Sequence, residues 1–296
     1  MPLSHSEFSG RGDLRDMQAM CSRVWTPQAR FHPGQLAWNR YSHPVDPDRV
    51  EPGDAIALWR AGGEVVGFGW AEGPDWLELQ VDPSHPEVVG EVIDWFENWS
   101  DAPRQSVLTM DGDGETALAD AGFHPERDGW HLTHHVLDLT RLPPVPEVAG
   151  YRFRPVSPDE VGPRAAAHRA AWSEFGESRV TSEAYAAVMA TWPYRHDLDW
   201  VAVDDVGDIV ATAIVWLDET IGVGLIEPVG CVPGHRRRGL AGAVTLAALH
   251  RARELGAHTA LVSPRGDDDY PGPRRLYQAL GFRPVTRTVT WTRSLG

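Results

Sequence analysis

The sequence predicts an α/β fold of mixed sheet and helix, laid out twice along the chain, and three observations predict it. Residues 229–256, VGCVPGHRRRGLAGAVTLAALHRARELG, read as a strand, a basic glycine-containing turn and a helix. Segments of the first half return in the second: Ala121-Gly122-Phe123-His124-Pro125 against Leu280-Gly281-Phe282-Arg283-Pro284, and Val81-Asp82-Pro83 against Cys231-Val232-Pro233. The length of 296 residues suits two modules of ordinary domain size.

Taken in order, residues 30–44 (RFHPGQLAWNRYSHP) crowd Phe31, His32, Trp38, Tyr41 and His43 into a proline-broken stretch that reads as core packing, with an aromatic wall against a ligand as the alternative. The hairpin-like AIALWRAGGEVVGFGW (55–70) is echoed by WVAVDDVGDIVATAIVW (200–216). HLTHHVLDL (131–139) alternates like a strand and holds the place that the terminal VTWTRSL has in the second copy. Only His131 and His135 of its three histidines share a face, and no cysteine or convincing carboxylate partner accompanies them, so surface histidines rather than a metal site are expected. Arg141-Leu142-Pro143-Pro144-Val145-Pro146 is unfit for helix or central strand. The expected division is therefore a first module at 1–140, a proline-rich linker at 141–149 and a second module at 150–296. The second module opens with a strand, a turn at Ser157-Pro158-Asp159-Glu160 and an alanine-rich helix ending near Trp172.

All 27 basic residues are arginine, and they are unevenly opposed by the 42 acidic ones. Residues 1–148 hold 25 acidic against 10 basic residues, whereas residues 149–296 hold 17 of each. An acidic first half makes nucleic acid a poor partner and would attract a cationic substrate such as a small amine. There is no run of 18 apolar residues and the start lacks an apolar signal segment, so no membrane partner and a cytoplasmic location are expected, with monomer and homodimer both open. Cys21 and Cys231 lie in different halves without metal-ligand spacing, so reduced thiols and no metal are expected.

The chemistry concentrates at 231–241. A helix beginning near Gly239 leaves its first amides without internal acceptors at the positive end of the helix dipole, where a diphosphate receives several N–H donors at once. Gly239 lets the backbone approach closely, and Arg236, Arg237 and Arg238 add guanidinium groups that suit phosphate oxygens.

The order Arg236-x-x-Gly239-x-Ala241 resembles the Q/R-x-x-G-x-G/A signature of the GNAT superfamily of N-acetyltransferases, and Leu276-Tyr277-Gln278-Ala279-Leu280-Gly281-Phe282 resembles that family's L-Y-x-x-x-G-F segment. The resemblance implies two tandem GNAT folds of mycothiol-synthase-like, bacterial architecture. It implies acetyl-CoA as co-substrate, held by Cys231, Val232, Arg236, Arg237, Arg238, Gly239, Leu240 and Ala241, with the Cys231 and Val232 amides on the cofactor and acetyl carbonyl. Transfer to the amine of a small molecule is direct, and Tyr277 protonates the departing thiolate. Glu227 shares a strand face with Val229 and Cys231, since strand positions two apart point the same way, and is the candidate base; attracting the ammonium group, or pairing with an arginine, is its other reading. Pro228 beside it suggests an irregular strand. Cys231 reads as a small buried residue rather than a nucleophile. Glu174, Phe175, Glu177, Tyr185, Trp192, Tyr194 and His196 are candidate acceptor contacts, because the family places that stretch over the acceptor. The first copy has Pro86, Val89 and Glu91 where the second has Arg236, Gly239 and Ala241, and Leu118 where it has Tyr277. It is therefore degenerate, is not expected to bind coenzyme A in the usual way, and is given a structural or substrate-shaping role. Tyr270 stands where many members have an asparagine. Two other readings remain open, a non-catalytic acyl-CoA-binding sensor and an acetyltransferase acting on peptides or proteins.

Overall fold

A computed structural model describes residues 2–295 apart from Val45, Pro47 and Asp48. The first half runs β1 (Leu3–Glu7), α1 (Arg11–Arg23), α2 (Pro33–Tyr41), β2 (Ala55–Ala61), β3 (Glu64–Ala71), β4 (Trp76–Val81), α3 (Val88–Trp99), β5 (Arg104–Met110), α4 (Glu115–Asp120), β6 (His124–Glu126) and β7 (Thr133–Asp138). The second runs β8 (Tyr151–Pro155), α5 (Val161–Trp172), α6 (Ser182–Met189), β9 (Asp199–Asp204), β10 (Ile209–Asp218), β11 (Val223–Cys231), α7 (Leu240–Glu254), β12 (Thr259–Val262), α8 (Gly272–Ala279) and β13 (Arg283–Ser294). Residues 142–148 between them adopt no helix, strand or turn, as their prolines dictate.

Local sequence explains the elements. Gly62 and Gly63 both have positive φ (62° and 90°), which is what a two-residue hairpin turn between β2 and β3 demands. Along α3 the buried residues Val88, Val89, Val92, Ile93 and Phe96 form the stripe of a one-sided helix. α7 is buried nearly all round, from Leu240 through Val244 and Ala248 to Ala252, and ends before Gly256 at φ 99°.

The strands form one mixed sheet in the order β1-β2-β3-β4-β5-β13-β7-β12-β11-β10-β9-β8, with β6 also on β13. The two halves exchange their last strands. Residues 288–294 of β13 pair with β5, between it and β6, whereas β7 pairs with β12 in the second half and with residues 283–287 of β13. This corrects the expectation for 131–139: β7 and the end of β13 are equivalent, but each fills the other's slot. It also corrects the reading of the histidines. His134 and His135 are each only 1% exposed, because β7 lies in mid-sheet. The cores follow suit: Val289 and Trp291 pack with Val107, Leu118 and Phe123, while Leu137 and Leu139 pack with Tyr277 and Phe282.

A third cluster joins the halves directly. Phe31, Leu36 and Phe68 pack with Tyr185, Trp216 and Val223, so α2 of the first half lies on β10 and β11 of the second. A Cβ on Gly34 would lie 2.1 Å from Trp216 Cβ, which fixes how close that helix comes.

Candidate active site

The site grows from the end of β11. That strand pairs with its parallel neighbour β12 only over Val223–Leu225 and then diverges, leaving a cleft. Its register with β10 slips by one between Ile226 and Val229, so Glu227 and Pro228 together face Ile214 in a β-bulge. Pro228 has no N–H to give the ladder, and the Trp216 indole donates to the Glu227 carbonyl at 2.5 Å, pinning the bulge.

The bulge resets which amides face the cleft. Val232 N–H donates to Val210 O at 2.9 Å, making Val210 and Val232 a hydrogen-bonded pair. By antiparallel alternation, Cys231 and Val229 then point their amides away from β10, toward the cleft. The expected contact from the Val232 amide is thus corrected, since that donor is committed within the sheet, and the amides that face the cleft are those of Val229 and Cys231. The same slip overturns the shared face of Glu227 with Val229 and Cys231: those two line the cleft, and Glu227 lines a different cavity.

At the cleft's far end, Arg237 (φ 61°) and Gly239 (φ 82°) take left-handed conformations that turn the chain into α7. No side chain caps the helix, and the amides of residues 237–242 meet no acceptor among the described residues. Of these residues Arg237, Gly239, Leu240, Ala241 and Gly242 border the cleft, so unpaired donors stand at its end where Gly239, Leu240 and Ala241 were placed. The three arginines divide. Arg236 is occupied by the Cys231 carbonyl at 3.0 Å, the Ala171 carbonyl at 2.8 Å and the Glu174 carboxylate, so it braces the turn against α5. Arg238 donates to Tyr151 Oη at 2.8 Å. Arg237 is exposed and lines the cleft, as does Arg275 of α8, which the sequence reading missed.

The cleft measures about 700 Å³. Tyr277 of α8 reaches into it from the core, packed edge-on against Phe282 and only 5% exposed. Burial, reinforced by the nearby Glu227 carboxylate, raises its phenol well above the ordinary range, so it holds its proton at any working pH. Phe175 and Tyr270 meet edge-on at 5.2 Å over the opening, which is how the tyrosine in the asparagine position is used. Burial likewise pushes the Cys231 thiol up, against the pull of Arg236 and Arg238, so nothing activates it as a nucleophile.

On the other side of the bulge, Glu227 lines a cavity of about 390 Å³ whose wall is Trp38, His168 and Trp172. His168 stacks on Trp172 at 4.2 Å and Trp38 tilts against it at 5.3 Å. Burial, with help from Arg164 and Arg169, pushes His168 down to about 3, so these three rings are uncharged, while Arg179, paired with Glu51 at 3.1 Å, also borders the cavity. Trp172 borders both spaces, and a Cβ on Gly230 would lie 2.2 Å from its ring, so the indole rests on bare backbone between the cavity and the cleft. Burial pushes the Glu227 carboxyl up to about 7; Arg30 opposes the rise and Glu78 adds to it. Arg30 and Glu78 form a buried ion pair contributed by the first half.

Residues 165–282 match the model of the acetyltransferase (GNAT) family. A tandem GNAT protein of the clavulanic acid biosynthesis pathway extends the likeness to the whole chain, with a TM-score of 0.62 at 18% identity over 100% of this chain and 99% of that one. The chain has a tandem GNAT fold. A GCN5-related N-acetyltransferase from Sphaerobacter thermophilus gives the same TM-score, 0.62, at 18% identity over 98% and 96% of the two chains. A GNAT-family acetyltransferase from Colwellia psychrerythraea gives 0.62 at 11% identity, covering 99% of each. No curated protein matches in sequence. The family's chemistry is acyl transfer.

In the tandem GNAT chain the expected acceptor contacts scatter. Tyr185 is buried and, like Tyr194 at 3.0 Å, donates to Asp199, which pairs with Arg164 at 2.9 Å; both tyrosines serve a core network. His196 lies edge-on to Tyr194, Trp192 carries the Arg15 guanidinium on its ring at 3.8 Å, and Glu177 is exposed. Only Phe175 lines the cleft, while Glu174 anchors Arg236. The wall that does meet Glu227 was written in α5 as His168 and Trp172, four residues apart on one helix face. Among the described residues no cluster suited to a metal ion is found, and no helix is long and apolar enough to cross a membrane.

Proposed function

We propose that the tandem GNAT chain is an acetyl-CoA-dependent N-acetyltransferase that acts on a small-molecule amine by direct transfer, with its active site in the second half. One observation carries this reading. A cleft bordered by Tyr277 and by the unpaired amides at the start of α7 lies on one side of the β11 bulge, a cavity holding Glu227 lies on the other, and Trp172 borders both. Acetyl-CoA would extend its diphosphate to the amides of residues 237–242, with Arg237 and Arg275 beside it. The thioester would lie along Val229 and Cys231, whose amides stabilise the charge that develops on the carbonyl oxygen.

The amine enters from the aromatic cavity as an ammonium ion that must lose a proton before attack. A carboxyl poised near pH 7 is half ionised at neutrality and suited to take that proton, directly or through water. The attacking nitrogen bonds to the acetyl carbon, the sulfur leaves, and Tyr277 donates its retained proton toward the thiolate. The acidic first half supports a cationic acceptor and disfavours nucleic acid as a partner.

The test is thiol release from acetyl-CoA over a panel of amines, amino acids and amino sugars, with Gly239→Glu as the binding control. Release that depends on one amine class and vanishes in the variant supports the enzyme. Acetyl-CoA binding without release for any amine would favour the sensor reading.

A further inference from the structure

The cavity that holds Glu227 takes one of its walls from the first half. α2 ends there: Ser42 N–H donates to the Trp38 carbonyl at 2.9 Å, so Ser42 follows Trp38 by one helical turn on the same face, with His43 beside it. Trp38, Ser42 and His43 all border the cavity. A single residue holds this wall against the opposite bank. Gly34 at the start of α2 rests on Trp216, and the Trp216 indole donates to the Glu227 carbonyl, so helix and bulge keep a fixed separation.

The polar groups of this cavity are not spent inside the protein. His168 of α5 is 5% exposed, its Nδ1 is buried, and neither ring nitrogen has a hydrogen-bond partner among the described residues. The partly buried side chains of Ser42 and His43 have none either. Burial lowers both imidazoles below their ordinary range, and Arg179 pushes His43 the same way, so both are neutral at pH 7. Arg179 itself is taken by Glu51, and Glu227 is the only carboxylate that borders the cavity among the described residues. A second ammonium group or an anion therefore finds no free counter-charge here.

A neutral imidazole offers one donor and one acceptor, and a serine hydroxyl offers both. Three such groups match substrate hydroxyls, which also give and accept. A hydrocarbon in their place would leave them desolvated and unpaired.

We propose that Ser42, His43 and His168 select the acceptor, and that the acceptor is an amine on a polyhydroxylated body of amino-sugar size. Its nitrogen lies at Glu227, and its hydroxyls pair with the serine and the two imidazoles. The first half thereby chooses what the second half acetylates; where the amine lies rests on the transfer reading above.

Glucosamine and cyclohexylamine, a ring amine without hydroxyls, test this on the full chain. Ligand-observed NMR reads binding without turnover, and thiol release from acetyl-CoA reads turnover. Glucosamine is expected to bind about tenfold tighter than cyclohexylamine or better. Ser42→Ala removes one hydroxyl, and His168→Phe keeps a flat ring on Trp172; each should cut that preference about fivefold. Equal affinity for the two amines, or a preference unchanged in both variants, overturns the assignment. Both results come from binding alone, so release from neither amine with the preference intact would count against the transfer and not against the site.

Discussion

Glu227 is the residue on which the proposed chemistry turns, and its environment gives two predictions of opposite flavour. Thiol release should rise with pH through about 7 as the carboxylate forms, and Glu227→Gln should lose that limb and lower kcat by about a hundredfold or more. Stability should move the other way. Between the ordinary carboxyl range and pH 7 the folded chain holds a proton that the unfolded chain releases, so this group's contribution to stability falls as pH rises through that window. Glu227→Gln should therefore raise the melting temperature at pH 8 and lose the gain toward pH 4, which calorimetry at the two pH values checks. Tyr277→Phe should cut kcat about tenfold with acetyl-CoA affinity little changed, since the phenol is buried among Leu276, Phe282 and the core. Measured binding against turnover separates this from a packing role. The sequence singled out Gly239, Tyr277 and Glu227 by residue type and spacing, and the structure sets Gly239 and Tyr277 on one cleft and Glu227 on the neighbouring cavity. The Val232 amide was assigned from the family resemblance and is committed to Val210, whereas the shared face of Glu227 with Val229 and Cys231 failed because unbroken alternation was assumed across Pro228, and a bulge changes the count by one.

Among the elements, β11 and α5 set the geometry together. Gly230→Ala should force the Trp172 indole off the strand, since the added carbon would lie 2.2 Å from it, and should raise KM for the acceptor more than for acetyl-CoA. Equal effects on both substrates would argue against Trp172 as a boundary. The Arg164–Asp199 pair ties α5 to β9 with both side chains fully buried. Asp199→Ala strands the guanidinium and two tyrosine hydroxyls and should cost about 3–5 kcal/mol, read by denaturant unfolding. Strand, turn and helix at 229–256 were readable from spacing and glycine alone. The acceptor wall was not, because Trp38 arrives from α2 of the other half, and no pattern within α5 shows what will stand opposite His168.

For the whole molecule, the repeat was visible in the sequence but the exchange of strands was not. β7 and the end of β13 alternate alike and would satisfy either sheet, so only tertiary fit decides between them. Residues 150–296 made alone should lack the strand between β12 and β13 and fail to give a cooperative unfolding transition. Adding residues 1–140 in trans should restore it. A stable, cooperatively folded second half on its own would show that β13 can close its own sheet.

The position of β13 also has a meaning in time. Some 180 residues separate β5 from the strand that completes its pairing, and a ribosome adding roughly 5–20 residues each second needs on the order of ten to forty seconds to bridge them. Throughout that interval the first half carries an open sheet edge and a core without Val289 and Trp291. A nascent chain of this protein thus exposes that edge long after its first module has emerged, and synthesis that stalls before β13 leaves both modules unfinished rather than one.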